Sequence, residues 1–232
     1  VVNIGAGLQQ KKQRVLLIDL DPQACLTKSL GLKPYELKKT VYHLLVGKAS
    51  LKEVMVNRKG LFVVPSNIGL SGVDLELVSQ VARESKLKKA LGNLDDFDYI
   101  LIDCAPSLSL LTLNALVAVE EVLIPLQTEY LALNGIEQLT RTIATIKEEL
   151  NPSLRISGVF GTRHQSREVF AKEALKNAKE AFPDVVFQNV IRENVALKEA
   201  PSYGKTIFEY KPKSRGAEDY RKLCEELLRR GI

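Results

Sequence analysis

Cysteine and histidine are scarce, and no apolar run approaches the ~18 residues that a membrane-spanning helix needs. The three cysteines (Cys25, Cys104, Cys224) stand far apart, with neither a CxxC pair nor a histidine at ligand spacing. A zinc knot and a disulfide framework are thereby excluded, and the composition fits a reducing cytoplasm. Linkers rich in Pro, Gly or Ser are lacking too, as are internal repeats and low-complexity tracts. The 232 residues are therefore expected to form one domain spanning 1–232. The opening VVNIGAGLQQ reads as the middle of a helix with no cap before it, not as a secretory leader. What the chain does have is 45% apolar and 26% charged residues, enough to bury a sizeable core. The charges of residues 1–140 balance, so the net +5 lies wholly in 141–232. That excess is either an ordinary solvated surface or a face for a polyanion such as a phosphate backbone.

Short apolar runs alternate with helical patterns along the chain. RVLLIDL (14–20), GLFVVPS (60–66), DYILIDCA (98–105), EVLIPLQ (121–127), RISGVFGT (155–162) and VVFQNVI (185–191) are near-continuous and rich in β-branched residues. Strands buried on both faces of a parallel sheet read this way. Helical stripes are expected between them over 72–91, 131–150 and 166–182. The pattern predicts the α/β class: an open, mostly parallel twisted sheet with helices on both faces, in three layers.

Ligands in such sheets bind beyond the carboxyl ends of the strands. Two runs end there in aspartate: RVLLIDLDPQ at Asp19 and Asp21, and DYILIDCAPS at Asp103. A hydrophobic run closed by Asp has the shape of a Walker B element, whose carboxylate holds Mg²⁺ directly or through water. Strand alternation would point Asp19 and Asp21 to one side, one serving the metal's water shell and the other orienting an attacking water. The plainer alternative is that Asp21 caps a helix around 23–30. Cys104, after a buried strand, reads as a small packed residue rather than a redox centre.

The stretches DLDPQACLTKSLGL, DYILIDCAPSLSLLTLNAL and EAPSYGKTIFEYKPKSRGAEDY, in that order, resemble the ParA/Soj family of partition ATPases. That family belongs to the deviant Walker A P-loop ATPases, which include MinD. The resemblance runs over essentially the whole chain. It implies a P-loop NTPase-like fold and an ATP-dependent dimerisation switch using ATP/ADP and Mg²⁺. ATP-bound homodimers would bind DNA nonspecifically in chromosome or plasmid partitioning, and a ParB-type centromere-binding protein would stimulate hydrolysis. The protein would be cytoplasmic and nucleoid-associated, with membrane not expected as a partner. By motif match Asp21 would activate the hydrolytic water, Asp103 with Asp19 would serve the metal, and 104–108 would form a switch. Gln23, Thr162, Arg163, Arg192 and Asn194 would line the nucleotide. Arg167, Lys198 and Lys205 would contact DNA.

Three departures from the family pattern stand out. The phosphate-cradling loop is absent, since VVNIGAGLQQ looks like the helix that follows it, and the chain is expected to be truncated there and to bind ATP negligibly as written. In NVALKEAPS, Ala196 takes the place of a family arginine, with Lys198 two residues on as compensation. Arg192 and Glu193 replace the usual Pro-Arg near the adenine. Two other readings stay open: a MinD-like membrane-positioning ATPase, and a non-catalytic scaffold that lost the loop. The C-terminal stripe of Tyr220, Leu223, Leu227 and Leu228 is expected to dock on its own domain, because the acidic residues between disfavour anionic lipid.

Overall fold

The computed structural model describes residues 1–92, 94–127, 132–165 and 169–232, with 132–137 and 169–172 described by backbone alone. In chain order the elements are α1 (Val2–Gln10), β1 (Val15–Leu20), α2 (Cys25–Ser29), α3 (Val41–Leu45), α4 (Leu51–Val54), β2 (Val56–Arg58), β3 (Leu61–Val64), α5 (Val73–Leu77), α6 (Lys86–Leu91), β4 (Tyr99–Cys104) and α7 (Leu110–Ala118). They continue as β5 (Glu121–Gln127), α8 (Ala132–Glu149), β6 (Arg155–Thr162), α9 (Val169–Ala181), α10 (Val195–Glu199), α11 (Ile207–Tyr210) and α12 (Arg215–Arg230). The class is α/β with mostly parallel strands, as expected. The chain divides into two compact units: 1–118 with 199–210, and 119–198 with 211–232.

The first unit holds a sheet of order β2-β3-β1-β4. β1 lies between parallel β3 and β4 and is buried at every residue, which is why it reads as an unbroken apolar run. Its alternate residues serve opposite faces. Leu16, Ile18 and Leu20 join a core built from α3, α6 and α7 through Val41, Leu44, Leu87, Leu91, Leu111 and Ala115. Leu17 points the other way, towards α1. A Cβ on Gly5 would stand 2.6 Å from a Leu17 methyl carbon, so this helix comes close because the residue has no side chain.

The β2–β3 hairpin is not foreseen by periodicity, because β2 has only three residues. Its two-residue turn is made by Lys59 and Gly60, both at positive φ (53° and 88°), as a type I′ loop requires. Arg58 leads from this hairpin to the returning segment. Its guanidinium donates to the Leu30 carbonyl (3.1 Å), the Gly204 carbonyl (2.6 Å) and the Glu209 carboxylate (2.6 Å), while Lys59 reaches Glu209 at 2.9 Å.

Burial pushes the Glu209 carboxyl up, but donors from Arg58, Lys59 and the Thr206 amide outweigh it and hold the group at about 2, against an ordinary 4.5. Folding therefore favours the ionised form. The contribution is fully present above pH ~4.5 and is lost as pH falls through about 2; with solvent screening allowed for, it is about 1–2 kcal/mol. Denaturant titrations of Glu209→Gln should lack this acid-side loss, and an unchanged pH profile in the variant would contradict it.

The helix expected over 72–91 is not one helix. α5 stops at Leu77, Ala82 adopts a left-handed conformation (φ 53°), and α6 starts at Lys86. Val73, Leu77 and Leu87 are buried, whereas Val81, which would share their stripe on a straight helix, is 90% exposed.

The second unit is built on the parallel pair β5–β6. Ile124, Leu126 and Val159 pack with Ala178, Phe182 and Val186. The run 185–191, expected as a strand, forms a single isolated bridge, Val159 with Val186, and a second, His164 with Arg192, follows just past its end. The reason is a competing acceptor: the amides of Gln188 and Asn189 donate to the Glu226 carboxylate (2.8 and 3.0 Å). The ladder to β6 is thus interrupted and resumes only when the Ile191 amide reaches the Gly161 carbonyl at 2.8 Å. α12 docks as expected, with Leu223 and Leu227 buried and Tyr220 and Leu228 half-buried. Among the described residues, no helix is long and apolar enough to cross a membrane.

Candidate functional site at the strand ends

Asp19 and Asp103 are register partners at the carboxyl ends of adjacent parallel strands β1 and β4. Asp19 is completely buried. Its Oδ2 accepts the Thr27 amide at 2.8 Å and the Thr27 hydroxyl at 2.6 Å, and its Oδ1 accepts the Asp21 amide at 3.2 Å. Burial pushes its pKa up to about 6, although those donors pull the other way. A strand residue thus supplies the acceptor that the first turn of α2 lacks from its own cap, Ala24.

Asp21 lies past the end of β1, so strand alternation does not relate it to Asp19. The two are joined by a turn in which the Asp21 amide folds back on Asp19, because Pro22 ends the extended segment. Nor does the Asp21 side chain cap α2: its Oδ1 accepts the Gln23 amide at 2.8 Å, two residues on. Gln23 is held in the same turn, and its carbonyl accepts the Lys28 ammonium at 2.7 Å.

Asp103 differs from its neighbours. Among the described residues its half-buried carboxylate accepts no hydrogen bond, and burial pushes its pKa up. The negative charge of Asp21 acts in the same direction. Cys104 and Cys25 complete the cluster. The Cys104 thiol is pushed by burial up to about 12, which makes it an inert packed group. A carboxylate with no hydrogen-bond partner among the described residues, at a strand end near a second acid, suits a hard oxygen-seeking cation. No group of three or more His, Cys, Asp or Glu among the described residues could hold a metal unaided. Mg²⁺ takes one or two carboxylates and completes its shell from phosphate and water.

The other expected residues fall mainly in the second unit. Thr162 ends β6, and the chain at Arg163–His164 runs beside Ile191–Arg192 through the His164 amide to the Ile191 carbonyl (3.0 Å). Thr162, Arg163, Arg192 and Asn194 are thereby brought together. Arg163 has positive φ (52°). The Arg192 guanidinium is gripped by the buried carboxylate of Asp219 (2.6–3.1 Å), and Asn194 accepts the Ala196 amide at the start of α10. Lys198 pairs with Glu193 at 2.5 Å. Lys205 lies in the first unit, between the Ala200–Tyr203 turn and α11. Arg167 lies outside the described residues.

The sequence reading missed Thr27 and Ser66. Ser66 does end one of the apolar runs, where the strand-end rule points. Thr27 carries no signal, since a threonine in a short helix reads as surface.

Comparison with known proteins bears on the same elements. The AAA_31 family, an AAA domain, matches residues 1–156. The sporulation initiation inhibitor protein Soj of Bacillus subtilis is 42% identical over 233 residues, covering 99% of this chain and 92% of that protein. The chromosome partitioning protein ParA of Myxococcus xanthus is 42% identical over 232 residues, covering 99% of this chain and 82% of its own. A crystal structure titled cobyrinic acid a,c-diamide synthase from Mycobacterium smegmatis, with bound ADP and magnesium, superposes with a TM-score of 0.86 at 38% identity, covering 99% of this chain and 87% of that one. Identity at this level over nearly the whole chain shows the family, and the chain therefore belongs to the ParA/Soj family of partition ATPases.

Proposed function

We propose that the protein is an ATP-dependent dimerisation switch that hydrolyses ATP and binds DNA without sequence preference during chromosome or plasmid partitioning. The observation that carries this reading is Asp103: a half-buried carboxylate without a hydrogen-bond partner among the described residues, in register with Asp19 and within reach of Asp21. Such a group is costly to keep unless a cation joins it. Membership of an ATPase family supports the same assignment. In this reading Asp103 holds Mg²⁺, with Asp19 anchored behind it, and Asp21 orients the water that attacks the γ-phosphate. Bound Mg²⁺ would neutralise charge on the phosphate oxygens, and catalysis would consist of positioning and charge stabilisation. Gln23, Thr162, Arg163, Arg192 and Asn194 would contribute to nucleotide binding, and Arg167, Lys198 and Lys205 would meet the DNA backbone. A ParB-type protein would accelerate turnover, and the homodimer would associate with the nucleoid.

The test uses the full-length protein with ATP and Mg²⁺, measuring phosphate release, binding to unrelated DNA duplexes, and co-sedimentation with anionic liposomes. ATP-dependent DNA binding that is alike for all sequences and weakens steeply with salt is expected. Absence of nucleotide binding, or retention on liposomes in place of DNA, would overturn the proposal. The apolar face of α12 is used inside its own unit, which favours DNA over lipid as the target.

A further inference from the structure

We propose that Thr27 is a positioning residue for Asp21, acting through Asp19; the inference rests on the reading of Asp21 as the water-orienting group. Thr27 is fully buried, and its hydroxyl sits between two fixed partners. The Ser66 amide donates to Thr27 Oγ1 at 2.9 Å, taking up an oxygen lone pair. A hydroxyl has one proton, and the acceptor in its path is Asp19 Oδ2 at 2.6 Å. The Thr27 amide adds a second donor to that oxygen at 2.8 Å. With Oδ2 pinned by the amide and the hydroxyl of one residue, itself held by the Ser66 amide, the plane of the carboxylate is set, and its other oxygen is turned to the Asp21 amide. That bond starts the turn which the Gln23 amide closes on the Asp21 carboxylate at 2.8 Å. The direction of the Asp21 side chain therefore depends on a hydroxyl that touches no reacting atom. A charge-assisted pair of donors is also stronger than a neutral one, so the anchor is stiff.

Thr27→Val keeps the volume and deletes the hydroxyl, whereas Thr27→Ser keeps the hydroxyl and deletes a methyl. In Thr27→Val, kcat for ATP hydrolysis should fall by on the order of 10²-fold, the scale on which small misplacements act, while ATP affinity stays within about twofold. Thr27→Ser should restore kcat. A second readout needs no nucleotide: amide hydrogen exchange at Asp21 and Gln23 should accelerate in Thr27→Val and remain protected in Thr27→Ser. Wild-type turnover and unchanged exchange in Thr27→Val would overturn the inference, as would a serine variant as impaired as the valine one. If Thr27→Val does not fold, Thr27→Cys offers the same volume with a weak donor: lowered kcat at kept ATP affinity supports the role, and unaltered kcat refutes it. Failure of the underlying reading looks different, because Asp21→Ala would then hydrolyse ATP normally whatever Thr27 does.

Discussion

Asp21→Ala in the full-length protein is expected to lower ATP hydrolysis by on the order of 10²–10⁴-fold, the usual worth of a positioned acid or base, while ATP binding persists. The separation of effects follows from geometry. Asp21 is half-buried and among the described residues its carboxylate accepts one amide, that of Gln23, so its loss removes a turn contact and leaves the core of the first unit untouched. Asp103, the proposed metal holder, is a separate side chain on another strand. Asp21→Asn sharpens the test, since an amide oxygen still accepts from Gln23 but carries no charge. If the asparagine variant is as slow as the alanine one, the missing element is the carboxylate and not the turn. Single-turnover phosphate release alongside nucleotide titration measures both quantities. Undiminished release by either variant would remove Asp21 from the mechanism.

Glu226→Ala is expected to cost about 3–5 kcal/mol, the range for breaking a buried, fully hydrogen-bonded charge. Glu226 is 1% exposed and accepts four donors: the Gln188 and Asn189 amides, the Asn189 side-chain amide at 2.6 Å and Arg230 at 2.8 Å. Without it, two backbone amides beside β6 lose their acceptor, and Arg230 loses its carboxylate partner, keeping the carbonyls of Asp184 and Val186 and its place over the Phe187 ring. Natural domains have only about 5–15 kcal/mol in total, so the second unit should melt well below wild type. Burial pushes the Glu226 carboxyl up, but its four donors hold it below the ordinary range. Its contribution is accordingly complete above the unfolded pKa and fades as pH falls, and the gap between wild type and Glu226→Ala should narrow in acid. Chemical denaturation at neutral and acid pH reads this directly; equal stability of the two proteins at neutral pH would contradict it.

How much of this was legible in the sequence depended on whether one element's own pattern determined the outcome. β1 and β4 are continuous apolar runs with Asp at the end, so both the strands and the acids at their tips could be read without any partner. The 185–191 run carried the same pattern but met Glu226 more than thirty residues further on, and apolar periodicity does not register an acceptor arriving from a distant helix. Over 72–91 the stripe was present but the backbone turned at Ala82, a residue type with no intrinsic preference for the left-handed region. The sequence shows Asp19 as an acid and not as an anchor, because that role is defined by Thr27 and Ser66, polar residues that carry no signal within their own segments. Of the proposed site, the charged groups could be found in the sequence, and the neutral groups that orient them could not.

β2 shields the edge of its sheet. It is the outer member of its sheet, three residues long, paired antiparallel and followed by a tight turn bearing Lys59 beside Arg58. A parallel sheet that ended on β3 would offer a row of free backbone groups to any passing chain, a template for aggregation. The brief, cationic ribbon closes that opening and is itself too short to recruit a neighbour, so this side of the sheet is guarded against misassembly while the chain folds.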